Sequence, residues 1–246
     1  MQLRRLRQLR RGKTVKAVKT AACSFVCLVL CLMSGCASSS DFKLQDLAKT
    51  DMDVTADIHL EQTVFLLKTL TEKLYNMNSA ELLKTPGATI DSRINQIFQC
   101  PPQVFSRDPE TVQKENMLLQ GFDPAYTGDR VYAVVLGLYT MIHKSYAGKC
   151  ELYALDFLDA QNLYNSARNI EILVWRLSHR KDTDGSLFLA TNQCAEPVRN
   201  LSFERLFGKL ISLQDTMARI VASRSGRMIT RTVHQAAGMV FLPIRL

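Results

Sequence analysis

Four polar side chains fall on one face of a single helical segment. At about 100° per residue, Asn162, Asn165, Asn169 and Arg176 lie together, opposite an apolar stripe of Ala160, Leu163, Ala167, Ile170, Val174 and Leu177. A carboxamide both donates and accepts, so once buried it needs partners: loop backbone, water or a polar ligand. These four residues are the candidates for ligand binding or for a polar network, with a solvated face as the plain alternative. Ile172 and Leu173 make the C-terminal half of the segment apolar on several sides, which argues for a central helix. Asp156 and Asp159 fall on the apolar side, in the turn before the stripe and at the rim of the core. Their three-residue spacing is too common on helices to mark a general acid/base pair.

Other chemistry is sparse. The chain has no H-E-x-x-H, no paired C-x-x-C, no G-x-S-x-G and no glycine-rich phosphate loop. His59, His143, His179 and His234 are far apart, so a metal centre or a triad would need the fold to gather them. No metal, cofactor or catalytic residue is assigned on these grounds, and a binding role is expected ahead of an enzymatic one.

The N-terminal region has a different logic. Residues 1–20 carry eight basic residues, and no acidic residue precedes Asp41. Residues 21–33, AACSFVCLVLCLM, are an uncharged apolar run of 13. That is too short for the roughly 20 residues that span a bilayer and within the length of a signal-peptide core. The run ends at Met33-Ser34-Gly35-Cys36 and passes into Ala37-Ser38-Ser39-Ser40. This junction resembles the lipobox of bacterial lipoproteins, with Met33 where that family prefers Leu. The resemblance implies that residues 1–35 are a signal peptide, that Cys36 is acylated on sulfur with palmitate-type chains, and that residues 36–54 form a lipidated tether. Two or more acyl chains give stable anchoring where one is marginal. Ala37 after the cysteine implies sorting to the outer membrane, periplasmic face, with the inner membrane as the alternative.

Removing the leader changes the charge balance. The full chain is +8, but 8 of its 31 basic residues precede Cys36, leaving 23 against 23 acidic residues. A near-neutral domain without a clustered basic footprint is a poor partner for a phosphate backbone, so nucleic acid is not expected. Beyond the anchor the cysteines are Cys100, Cys150 and Cys194. In an oxidising compartment two can pair, in any of three ways, leaving one thiol over.

The elements that position these residues read as helices. Leu60, Val64, Leu67, Leu70 and Leu74 make residues 55–77 amphipathic. Thr89 caps a shorter helix carrying Ile90, Ile94, Ile97 and Phe98 after the Pro86-Gly87 break, and a short helix is expected within 110–119. The all-round apolar run at 131–142 predicts a buried helix starting near Asp129 and ending by Gly148. The longest helix is expected over about 152–180, followed by a KDTDG turn at 181–185. Ser202 is expected to cap a helix carrying Phe203, Leu206, Phe207, Leu210, Met217 and Val221, and a last helix is expected over about 227–240.

The expected fold is therefore all-α: one helical-bundle-like domain of about six or seven helices over 55–246, behind a lipidated tether. FDPAYTGDRVYA and LDAQNLYNSARN are similar to segments of uncharacterised proteobacterial lipoproteins, a resemblance that implies no activity. The expected role is an interaction or structural module of the cell envelope, with an envelope protein as partner. Binding of a small polar or lipid-derived ligand is the alternative, and hydrolysis a third.

Overall fold

Thr50 and Asp53 close a reciprocal cap at the start of the first helix. Asp53 N–H donates to Thr50 Oγ1 (3.3 Å), and Thr50 N–H donates to Asp53 Oδ2 (2.7 Å). Helix α1 (Asp51–Met77) therefore begins four residues before the expected start at 55, and residues 51–54 belong to the helix, not the tether. The cap decides the boundary, because the apolar stripe only sets in later. The computed structural model describes residues 49–103, 117–192, 194–195, 198–199, 201–226, 228–230 and 240–244. The expected leader, Cys36, most of the tether and His234 lie outside these residues.

Among the described residues the fold is all-α, with seven helices and one two-residue hairpin. After α1 come α2 (Ser79–Leu83) and α3 (Ile90–Ile97), the latter capped by Thr89 as expected. Helix α4 (Met117–Gln120) overlaps the end of the short helix expected around 110–119, and residues 110–116 lie outside the described residues. Helix α5 (Arg130–Ser145) is capped by Asp129, whose Oδ1 accepts from Tyr132 N–H at 2.9 Å. Nearly every side chain of α5 is buried, including Val131, Val135, Leu138 and Ile142 at 0% exposure. This is the central helix that the all-round apolar run predicts. A Cβ at Gly137 would run into the Leu118 backbone, so this glycine is what lets α4 lie directly on α5.

Helix α6 (Ala160–His179) is shorter than expected, and α1, with 27 residues, is the longest of the described helices. Residues 152–159 are not helical. Asp159 serves as the N-cap, its Oδ1 accepting from Gln161 N–H at 2.7 Å. Asp156 closes a separate turn in which its N–H donates to Tyr153 O at 2.7 Å. The two carboxylates thus have separate local roles, and Asp159 is exposed instead of sitting at the core rim. Along α6, Leu163, Ala167 and Ile170 are fully buried, as the stripe predicts.

The KDTDG turn forms around Gly185 (φ +83°), a backbone conformation that favours glycine. Strands β1 (Cys194–Ala195) and β2 (Val198–Arg199) pair antiparallel. Helix α7 (Ser202–Ser225) follows, with Leu201 at the N-cap position. Ser202 is not the cap: its hydroxyl accepts from Lys73 Nζ (3.1 Å) and fastens α7 to α1. Helices α6 and α7 form the most extensive helix pair, and α1 packs on both α5 and α7. Of the helix expected over 227–240, Met228–Thr230 and Val240 are described and are not helical; residues 227 and 231–239 lie outside the described residues. No helix among the described residues is long and apolar enough to cross a membrane.

Candidate functional site

The amide face of α6 is buried, not solvated: Asn162, Asn165 and Asn169 are 9%, 8% and 1% exposed. Its partners are main-chain groups of the chain's own C-terminal segment. Asn169 binds Leu242 at both ends of its carboxamide, Nδ2 donating to Leu242 O (2.9 Å) and Oδ1 accepting from Leu242 N–H (2.6 Å). One turn earlier, Asn165 Nδ2 donates to Pro243 O (2.9 Å). Gln161, which the sequence reading passed over, donates Nε2 to Asn165 Oδ1 (2.9 Å) and to Thr230 O (3.1 Å), while its Oε1 accepts from Thr230 N–H (2.8 Å). Arg176 completes the row from the far end, with its guanidinium over the Phe241 ring at 4.9 Å. For Asn165 and Asn169, loop backbone supplies partners of the kind these buried amides need.

Burial sets the energetics of this face. Asn169→Ala would leave the Leu242 N–H and C=O without their partner, so the expected loss is about 1 to 3 kcal/mol. A solvated residue would cost no more than about 0.5 kcal/mol. Chemical denaturation of Asn169→Ala against wild type separates the two.

Beside this contact lies a cavity of about 320 Å³, lined by Leu118, Thr140, Met141, Lys144, Asn169 and Leu242, among others. Thr140 Oγ1 is buried and has no hydrogen-bond partner among the described residues. The cavity therefore combines apolar walls with an unused hydroxyl and the amide of Asn169, a composition suited to a small polar or amphipathic molecule.

Cys100 and Cys150 form a disulfide, which settles the pairing left open by the sequence. Cys194 lies in β1. His143, on the last turns of α5, is buried and brings Nε2 to 3.2 Å from Cys100 Sγ. A disulfide sulfur can only accept, so this geometry fits the Nε2–H tautomer. Burial holds the His143 pKa below the usual histidine range, which keeps the ring neutral. Cys100, Cys150 and His143 bring their ligand atoms within 4.8 Å of one another. Both sulfurs are spent in the disulfide, so in this state the group offers no thiolate to a metal or a substrate. Of the other histidines, His179 is exposed and stacks on Trp175, and His59 is half-buried on α1 with its pKa lowered by burial.

A buried ion pair, Arg93 with Asp129, was not among the sequence candidates. Asp129 Oδ2 accepts from Tyr75 O–H at 2.8 Å and pairs with Arg93 Nη2 at 3.1 Å. Arg93 also donates to Gln96 Oε1 (3.0 Å) and to Thr85 Oγ1, and its guanidinium lies over the Tyr132 ring at 4.7 Å. Burial pushes the Asp129 carboxyl pKa up, opposed by the Tyr132 N–H, Tyr75 and Arg93. The Tyr75 phenol is driven well above its ordinary range, mainly by burial and then by the Asp129 charge. With both carboxylate oxygens engaged inside the protein, the cluster clamps α1, α3 and α5 together and offers no free base. Its one sequence signal was Arg93, which stands three residues after Ile90 and four before Ile97, on the apolar face of a short helix.

Comparison with protein-family models, with curated proteins and with solved structures gives no match to this chain.

Proposed function

We propose that the chain is a lipid-anchored envelope protein, held through Cys36 on the periplasmic face of the outer membrane, whose helical domain is an interaction module that holds an extended peptide segment against α6. The lipobox-like junction supports the anchor, and the Cys100–Cys150 disulfide suits an oxidising compartment. The observation that carries the binding role is the two-point pairing of Asn169 with Leu242. A side-chain amide reading both N–H and C=O of one residue recognises main chain, and main-chain recognition is how extended peptides are held irrespective of their sequence. In this chain the occupant is its own C-terminal segment.

The test uses cells carrying the full chain with a photoreactive side chain in place of Met141, which lines the adjoining cavity. The expected result is an adduct with another envelope protein that is lost when Cys36→Ser removes the anchor, together with loss of palmitate incorporation in that variant. Adducts confined to the chain's own C-terminal segment would overturn the interaction role. Unchanged palmitate labelling of Cys36→Ser would overturn the anchor.

A second reading rests on the unpartnered Thr140 hydroxyl: the cavity takes a small polar or lipid-derived ligand. Copurification of such a molecule, lost in Thr140→Val, is the result that would favour it.

A further inference from the structure

The loop between α5 and α6 turns two large apolar side chains outward. Leu155 and Phe157 are 88% and 85% exposed, although the loop around them is firmly built. On one side Leu152 is buried, and its N–H donates to Asp57 Oδ1 on α1 at 2.9 Å. On the other, Leu158 packs against the core. Between the two apolar residues Asp156 faces inward: its Oδ2 accepts from Tyr153 N–H (3.1 Å) and its Oδ1 pairs with Lys149 Nζ (3.2 Å). The carboxylate that would keep this tip in water is thus paired at its base, and the apolar pair is what projects. Burying so much exposed apolar surface is favourable wherever an apolar phase is within reach.

The same loop is fastened to the start of α1. Lys49 Nζ pairs with Asp57 Oδ2 (2.6 Å) and Glu151 Oε2 (3.5 Å), and lies over the Tyr153 ring at 5.1 Å. Thr50 and Met52 share a cleft of about 280 Å³ with Phe157 and Leu158. Lys49 is where the chain leads back toward Cys36, and the intervening residues 37–48 can span at most about 45 Å when extended. The tip is therefore tied to the end of the domain from which the anchor leaves.

We infer that Leu155 and Phe157 form a second membrane contact, inserting into the bilayer surface to which the acylated Cys36 holds the protein. This rests on the lipid-anchor reading and adds to it a defined orientation, with the loop before α6 against the lipid and the far end of α6 away from it. Trp175, the single tryptophan, is 15 residues along α6 from Ala160, about 22 Å at the helical rise.

The experiment uses the full acylated chain in vesicles of phosphatidylethanolamine and phosphatidylglycerol containing a brominated phosphatidylcholine, a short-range quencher of tryptophan. Two chains are compared: wild type, reporting from Trp175, and Trp175→Phe/Phe157→Trp, reporting from the loop. The expected result is loss of more than half of the loop reporter's emission, with a blue shift, against little quenching of Trp175. Adding Leu155→Ser to the loop reporter should reduce its quenching. Equal, weak quenching of both chains while they float with the vesicles and carry acyl groups by mass spectrometry would overturn the loop contact and leave the anchor standing. Absence of acyl groups would overturn the anchor reading and the loop contact with it.

Discussion

Asp129→Ala is expected to cost about 3 to 5 kcal/mol, because it leaves the Arg93 guanidinium buried without its carboxylate partner. Arg93 and Asp129 are 7% and 4% exposed, so water does not take over the lost contact. The same change removes the α5 cap, itself worth about 0.5 to 2 kcal/mol, and leaves the buried Tyr75 hydroxyl without its acceptor. These losses share one side chain and are not additive. Asp129→Asn should fall between wild type and Asp129→Ala, since an amide oxygen can still cap the helix and accept from Tyr75 but carries no charge. Pairing Arg93→Leu with Asp129→Leu should recover part of the loss, because an apolar pair leaves no uncompensated charge. Denaturation midpoints at constant m-value measure all three. A loss below about 1 kcal/mol for Asp129→Ala would mean that the pair does not hold α3 to α5.

How far this organisation can be read from sequence depends on where the information lies. Helices α1, α3, α5, α6 and α7 are legible in the apolar period because each buries one face, or in α5 nearly all faces, against the others. Capping chemistry is legible too, and where it was overlooked the boundaries moved. Thr50 with Asp53 starts α1 early, and Asp159 starts α6 late. The segment before Asp159 continues the helical period closely enough to mimic a helix, while Asp156 closes a turn that the period does not reveal. The amide face of α6 was visible as a pattern, but its partners were not. Leu242 is 73 residues from Asn169, and Asn169 meets Leu242 through main-chain atoms that every residue type shares. For the same reason residues 240–244 carry no mark of their role. The Asp129–Arg93 pair was hidden differently: Asp129 has a local reading as a cap, Arg93 on the apolar face of α3 names no partner, and only the fold joins them.

The second large effect belongs to the disulfide. Cys100 and Cys150 are 50 residues apart in sequence, Cys100 just beyond the end of α3 and Cys150 just beyond α5. Closing a loop of that size restricts the unfolded chain, and on the chain-entropy account this is worth about 4 kcal/mol. Neither sulfur is placed for chemistry in this state, so a structural tie is the role the geometry leaves to the bond, and His143 lies beside it as a neutral neighbour. Cys100→Ser/Cys150→Ser should therefore lower the stability by about 4 kcal/mol, and wild type unfolded in the presence of a dithiol should match it. A difference between the reduced wild type and the double variant would locate part of the effect in the serines themselves, while a change below about 1 kcal/mol on reduction would show that the helices hold this region without the bond. The result also bears on compartment. If the proposed export holds, a chain kept in a reducing cytoplasm by deletion of residues 1–35 forfeits this contribution, a large share of the 5 to 15 kcal/mol typical of a domain, and should be degraded faster than the full-length protein.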